Sequence, residues 1–422
     1  MALLRISIAL LFTLLAAIAA GAQDKSVDVA FDGANIDLLP YLLAVDTDKK
    51  VVTIKTSEDA SAILMELQAK GPEPVHRWIV VTLTNSAGAA RDVVVATPHQ
   101  GFAGSGVLWP KPLGSRIQNV IGAGTAAIAP LRVINSDAFA LHIEPKGKVT
   151  VAMELTRTGL DEIDLWQRIA FDAKAEQNGF YRGVILGIAM LIGIIAISLY
   201  AVRTIAVFPF ASVFIWSAIA FLALESGYLP QINDVLPDNY ELGPEIRAVI
   251  ESLMLIGLIL CLVSFADLRK RRPIAGNILL LTAALLLALP VYGWFEPARA
   301  AGIARFGFAI VAIVGLFVVF IMWREGAARA RVSLLSWLMV VAWTVLAAVA
   351  ALTPAADSMA KLLLSAGLLL VLVTMGFALA QFAFTQGFLA QRFFAEDARR
   401  ALALAASQQC VWDWRVEENR RR

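Results

Sequence analysis

Seven apolar stretches dominate the chain from Phe180 onward, at roughly 180–202, 205–225, 247–266, 276–294, 303–323, 333–353 and 359–383. Crossing a bilayer core takes about 20 helical residues, and each stretch is close to that length or beyond it. In hydrocarbon every backbone N–H and C=O has to be satisfied within the protein, so such stretches fold as membrane-spanning helices. With 59% hydrophobic and 17% charged residues, the chain is too apolar for an ordinary soluble protein. The connections then set an orientation. Those after spans one, three, five and seven carry Arg203; Arg269, Lys270, Arg271 and Arg272; Arg324, Arg329 and Arg331; and Arg392, Arg399 and Arg400. Those after the even spans are poorer in Lys and Arg. The longest, 226–245, holds Asp234, Asp238, Glu241 and Glu245 and no base. By the positive-inside rule the odd connections and the C-terminus belong in the cytoplasm of a bacterial inner-membrane protein.

The opposite end agrees with this orientation. Arg5, the apolar "ISIALLFTLLAAIAA" and the small-residue exit Ala20-Gly21-Ala22 read as a secretory signal over 1–22, which puts the next residues in the periplasm. Residues 23–172 alternate apolar and polar positions. Six β-branched segments, 51–56, 77–85, 91–98, 130–135, 139–144 and 148–156, are separated by turn residues such as "NSAGAA" and "EPKGK". That pattern predicts an all-β sandwich of the jelly-roll kind. The segment 59–71, "DASAILMELQAKG", reads as one short helix. The fold class expected is therefore a multi-domain membrane protein: a periplasmic β-sandwich sensor domain at 23–172, a seven-helix transmembrane bundle at 178–385, and a cytoplasmic linker helix.

That linker helix is expected over 386–407, where Phe394, Ala398, Ala401 and Ala405 follow a four-three-four spacing and Glu396–Arg400 is a favourable i,i+4 pair. A helix of this kind relays motion only between paired chains, so a homodimer is a candidate assembly. Gly183-xxx-Gly187 in span one is a small-residue pair that suits either packing within the bundle or a dimer contact. Several membrane functions are disfavoured. Lys361 sits at the outer edge of the last span, not deep in it where a retinal Schiff base would form. Glu225 and Asp267 lie at span ends. Glu251 is about one turn inside span three with Arg247 as a local partner, so it reads as structural or interfacial before functional. Pro290 in span four is a single kink, and paired interrupted spans of the transporter type do not occur.

The layout resembles the bacterial seven-transmembrane receptors with diverse intracellular signalling modules. The segments "RWIVVTLTN" (77–85), "GFAGSGVLWP" (101–110) and "FYRGVILGIAMLIG" (180–193) look like an α-proteobacterial branch whose members continue into PAS, GGDEF and EAL modules. In that branch an "SGLLWP" tract is followed by an arginine. Here Ser105, Gly106, Val107, Leu108, Trp109 and Pro110 are followed by Arg116. Residues 408–422, with Trp412-Asp413-Trp414, resemble the first strand of a PAS domain that is cut short, as in the sensor part of a longer protein or in a truncated or frameshifted gene. The resemblance implies a sensory receptor whose output is cyclic di-GMP signalling. The alternatives are the regulatory half of a diguanylate cyclase or phosphodiesterase, and a transporter or structural membrane protein. No GGDEF or EAL motif and no nucleotide-binding glycine loop occurs in 1–422, so the chain itself is not expected to be an enzyme and has no candidate catalytic residue.

Candidate ligand-binding residues are His99, Trp109 and Arg116. Trp109 lies in a loop and has two readings: an exposed aromatic platform for a small-molecule or carbohydrate-like ligand, or inter-sheet packing, the commoner role of a tryptophan in a small core. Trp78, inside a strand pattern, reads as core. Candidate relay residues are Arg247, Glu251, Phe394, Glu396 and Arg400. No metal site follows from the spacing of His76, His99 and His142 or from the two cysteines, and no cofactor is expected. The lipid bilayer is the one expected macromolecular surface, with no nucleic acid.

Overall fold

The computed structural model describes residues 26–55, 64–70, 75–98, 101–102, 104–110, 116–123, 127–134, 136–156, 160, 162–202, 206–228, 244–353, 358–385, 414–415 and 420–421. The signal segment, the whole linker helix, His99, Phe394, Glu396 and Arg400 lie outside these residues. Two compact units divide the chain. One comprises Met1–Val184, Leu222–Arg247 and Ala350–Lys361; the other comprises Ile185–Phe221, Ala248–Val349 and Leu362–Arg422.

The first unit contains twelve strands: β1 (Ser26–Asp28), β2 (Asn35–Asp37), β3 (Leu43–Thr47), β4 (Val51–Lys55), β5 (Leu64–Gln68), β6 (His76–Thr84), β7 (Arg91–Pro98), β8 (Ile117–Ala123), β9 (Ile128–Val133), β10 (Ser136–Ile143), β11 (Lys148–Leu155) and β12 (Asp164–Gln167). One five-stranded sheet runs β1-β6-β11-β8, with β3 also paired to β6; the other runs β2-β12-β7-β10-β9. Their inner faces share one core. Ile79, Val81, Leu83, Val151 and Met153 from the first sheet meet Val93, Val95, Leu141, Ile143 and Leu165 from the second. This is a β-sandwich.

The outer faces are partly covered as well, which is why "WIVV" and "VVVA" read as continuous apolar runs and not as strict alternation. Trp78, Val80 and Ala152 pack under Leu67 of β5, and Trp78 is 1% exposed. On the other sheet Val94, Ala96 and Ala138 pack with Trp166 and Phe171. The expectation of a helix in 59–71 is corrected over its described part. Leu64–Gln68 is a strand paired antiparallel with Val51–Lys55. Burying Leu67 against Trp78 through a two-strand flap outweighs the local helical preference of "LMELQ".

Strand β12 passes without a linker into the first membrane-length helix, Arg168–Val202. At 35 residues this helix is about 52 Å long, more than the ~30 Å hydrocarbon core, so its charged first turns project beyond it. Asp164 of β12 sits at this junction. Burial, and then the Glu162 carboxylate, push its pKa up from 3.8 to about 6, with Asp37 adding to the rise and Asn35 and Lys174 opposing it. A raised folded-state pKa means that the folded protein holds this proton more tightly than the unfolded chain does. Its stabilisation is complete below 3.8 and is lost as pH rises through about 6. Thermal unfolding of the chain should show this slope in that window, and Asp164→Asn should remove it. An unchanged slope in the variant would assign the pH dependence elsewhere.

Among the described residues seven helices are long and apolar enough to cross a membrane. After the first they are Val207–Glu225, Pro244–Phe265, Pro273–Phe295, Pro297–Arg324, Ala328–Leu352 and Ser358–Thr385. Pro244, Pro273 and Pro297 each open a helix, where a missing N–H costs nothing. The fourth breaks at Leu287, three residues before Pro290, into Pro273–Leu286 and Ala288–Phe295. Pro290 cannot donate to the carbonyl one turn before it, so the ladder fails there.

In the second unit the third helix is the most enclosed, with Leu258, Ile259, Cys261 and Leu262 fully buried. It approaches the second helix backbone to backbone at Gly257, where a Cβ would lie 2.7 Å from Phe214 Cα. Phe214 stacks on Phe308, and Phe308 meets Trp343 edge to face with centroids 5.5 Å apart. Trp343 Nε1–H donates to the Leu364 carbonyl at 3.0 Å, tying the sixth helix to the seventh. Beyond the seventh helix, Trp414–Arg415 and Arg420–Arg421 pair antiparallel as a short hairpin. Trp412 and Asp413 lie outside the described residues.

Candidate functional site

Within the first unit, the connection from β7 to β8 is seated on the ends of membrane helices. An α-helix leaves its last carbonyls without intrahelical partners. At the end of the sixth helix two of these are met by the loop: Gly104 N–H donates to Ala350 O and Gly106 N–H to Ala351 O, each at 2.8 Å. Both glycines have positive φ, 74° and 86°, a backbone region that side-chain-bearing residues rarely adopt. This lets alternate N–H groups of a five-residue segment point the same way. Ser105 folds the loop on itself, its hydroxyl donating to Phe102 O at 2.7 Å.

A carboxylate anchors the other side of the loop. Phe102 N–H donates to Glu225 Oε2 at 2.9 Å. Glu225 is the last residue of the second helix and is paired with Arg247 in the first turn of the third, both side chains being under 8% exposed. Gly101 makes room for it, because a Cβ there would lie 2.7 Å from Glu225 Oε2 and 3.8 Å from Lys361 Cε. Phe102 itself is buried. The loop thus ties together the ends of helices two, three and six, with Lys361 of the seventh helix beside Gly101.

A second ionic site lies in the other unit. Glu251 of the third helix accepts two parallel hydrogen bonds from Arg305 of the fifth, Nε to Oε2 at 2.7 Å and Nη2 to Oε1 at 2.8 Å, with both side chains 5% exposed. Glu251 is seven residues into its helix, about 10 Å along the axis from the helix start. Ala248, Ala300, Ala301 and Ala304 pack around this level, and small residues let the helices close over the pair. A forked guanidinium–carboxylate contact fixes both rotation and register of two helices.

Residues 178–381 match the family described as 7TM diverse intracellular signalling. The membrane region belongs to this family. No curated protein matches the chain. The match supports a seven-helix transmembrane receptor, and both ionic clusters draw on helices of the matched region.

The geometry sorts the candidate residues. Arg247 is paired with Glu225, the last residue of the second helix. The partner of Glu251 is Arg305 on another helix. Arg116 is engaged by Asp137, with Nη2 to Oδ1 at 2.8 Å and Nε to Oδ2 at 3.1 Å, and Asp137 also accepts the Ile117 N–H. It therefore clips the start of β8 to the start of β10. Trp109 is 76% exposed, which excludes the inter-sheet packing role. His142 meets Asp92 and buried His76 meets Glu154, in different sheets.

The sequence reading passed over Arg305. Its signal was present: a single base inside "GIARFGFAIVAIV", where an unpaired charge is costly and therefore implies a buried partner. At the far ends of the helices, Arg272 after the third and Glu325 after the fifth are joined at 2.7 Å, so two of the base-rich connections meet each other.

Proposed function

We propose that this receptor reads an extracytoplasmic signal through its β-sandwich and passes it inward through the membrane helices to a cyclic di-GMP output. The observation that carries the reading is the seating of the 101–106 loop on Ala350, Ala351 and Glu225. The loop connects a central strand of one sheet with an edge strand of the other. A ligand that changes the packing between the sheets therefore moves the loop and, through it, the helix ends to which it is bonded. Such an input biases a two-state bundle only by its differential affinity for the two states.

In this reading the ligand is a small, carbohydrate-like molecule and the chain acts as sensor and relay, with catalysis belonging to a GGDEF or EAL module. The chain inserts after export, with the sandwich in the periplasm and the basic connections in the cytoplasm. It works as a homodimer. Gly187 on the first helix favours a partner helix there, since among the described residues nothing lies within 4 Å of a Cβ placed on it.

Reporter fusions at residues 160 and 395 are expected to report opposite sides of the inner membrane, and both on one side overturns the orientation. The output is tested separately. A deletion strain of the host should show an altered cyclic di-GMP level, and a level equal to the parent's in growth and in stationary phase rejects that output while leaving the receptor intact.

A further inference from the structure

Leu108 and Trp109 form an exposed apolar tip, 58% and 76% accessible, on a loop whose other residues are held down. Phe102, Ser105 and Pro110 are buried, and Gly104 and Gly106 are hydrogen-bonded to the sixth helix. A tryptophan that faces water on a fixed loop is unfavourable unless something apolar meets it. Among the described residues, no strand or helix of the sandwich does so.

Position decides what does. Gly106 is bonded to Ala351, the penultimate residue of Ala328–Leu352. That helix has 25 residues and a length of about 38 Å, which exceeds the ~30 Å hydrocarbon core, so its end stands in the headgroup layer. Trp109 is the third residue after Gly106, and an extended chain of that length reaches about 10 Å at most. Trp109 is therefore confined to the depth of the membrane–water interface. Leu352, at the same helix end, is itself 71% exposed. An indole has an apolar body and one N–H, which suits it to the boundary of acyl chains and headgroups.

We infer that Leu108 and Trp109 are a membrane-interface anchor of the β-sandwich, inserted among the lipid headgroups of the same bilayer that the seven helices cross. The anchor goes beyond the receptor reading and holds whichever side of the membrane the sandwich occupies. It gives the 101–106 loop a second attachment, to lipid, besides the one to the helix ends. The state of the lipid surface thereby bears directly on the loop that contacts Glu225.

The test uses the full chain in nanodiscs with Cys410→Ser, leaving Cys261, which is buried. Trp109→Cys, and separately Leu108→Cys, is labelled with an environment-sensitive fluorophore, and the lipids carry a nitroxide on the headgroup or the upper acyl chain. A label at Gly88, in the turn at the far end of β7, is the control. Labels at 108 and 109 should be quenched at least roughly twofold by nitroxide lipid and shielded from aqueous iodide, as interfacial groups are, with the reverse at 88. Quenching by iodide but not by nitroxide lipid at both 108 and 109 overturns the anchor. Shielding that appears only when a sugar is added also overturns it and assigns the tip to ligand binding.

Discussion

Replacing Arg305 by alanine is expected to destabilise the membrane region by about 3–5 kcal/mol, because it leaves the buried Glu251 carboxylate without the guanidinium that meets it. The cost is that of desolvation. A charge closed in by helices cannot recover in water what it loses in the pair. Thermal unfolding in lipid nanodiscs measures the change. The double variant Glu251→Leu, Arg305→Met should recover most of the loss or exceed the parent in stability, since an apolar pair of similar volume removes both desolvation penalties. The two outcomes together separate structure from signalling. If the double variant is stable yet fixed in one output state, the forked pair sets the register of the third and fifth helices. If it is stable and responds normally, the pair serves packing alone.

The second large effect is expected at the opposite kind of place, a helix end. Glu225→Ala removes the carboxylate of buried Arg247 and the acceptor of Phe102 N–H at once. A loss of about 3–5 kcal/mol is expected here as well, again from a buried cation deprived of its counter-charge. Its signature differs from that of Arg305→Ala. With Phe102 released, the loop loses its attachment to the end of the second helix, so limited proteolysis within 98–110 should rise sharply. Arg305→Ala should leave that segment protected. Glu225→Gln retains an acceptor for Phe102 and should fall between parent and alanine. Equal protection of the loop in Glu225→Ala and in the parent would show that Glu225 does not hold it.

Much of the architecture was legible before any coordinates. Membrane-length helices announce themselves because hydrocarbon tolerates so few alternatives, and observed bounds such as Val207–Glu225 and Pro244–Phe265 lie within a few residues of the apolar stretches, save where the first and fifth helices extend beyond them. Strands β6, β7 and β11 were legible because β-branched runs between turn residues have one economical packing. The short strands Ser26–Asp28, Asn35–Asp37 and Asp164–Gln167 were not. Three or four residues carry too little periodicity, and their pairing partners lie as far as 131 residues away along the chain, as Asn35 does from Trp166. The segment Leu64–Gln68 misled for a related reason, since only the neighbouring hairpin strand and Trp78 make it extended.

The site divides along the same line. The sequence by itself determined which residues carry charge into an apolar setting: Glu225, Arg247, Glu251 and Arg305 stand out against their surroundings whatever the fold. Charge identity is local, and so is the hydrophobic run that makes a charge conspicuous. Partnership is not local. Arg247 meets Glu225 of the second helix and Glu251 meets Arg305 of the fifth, and no local spacing announces either contact. Only the tertiary structure could decide that, and only it could place Gly104 and Gly106 against the last carbonyls of the sixth helix, turning a glycine-rich loop into the contact between a sandwich strand and the membrane helices.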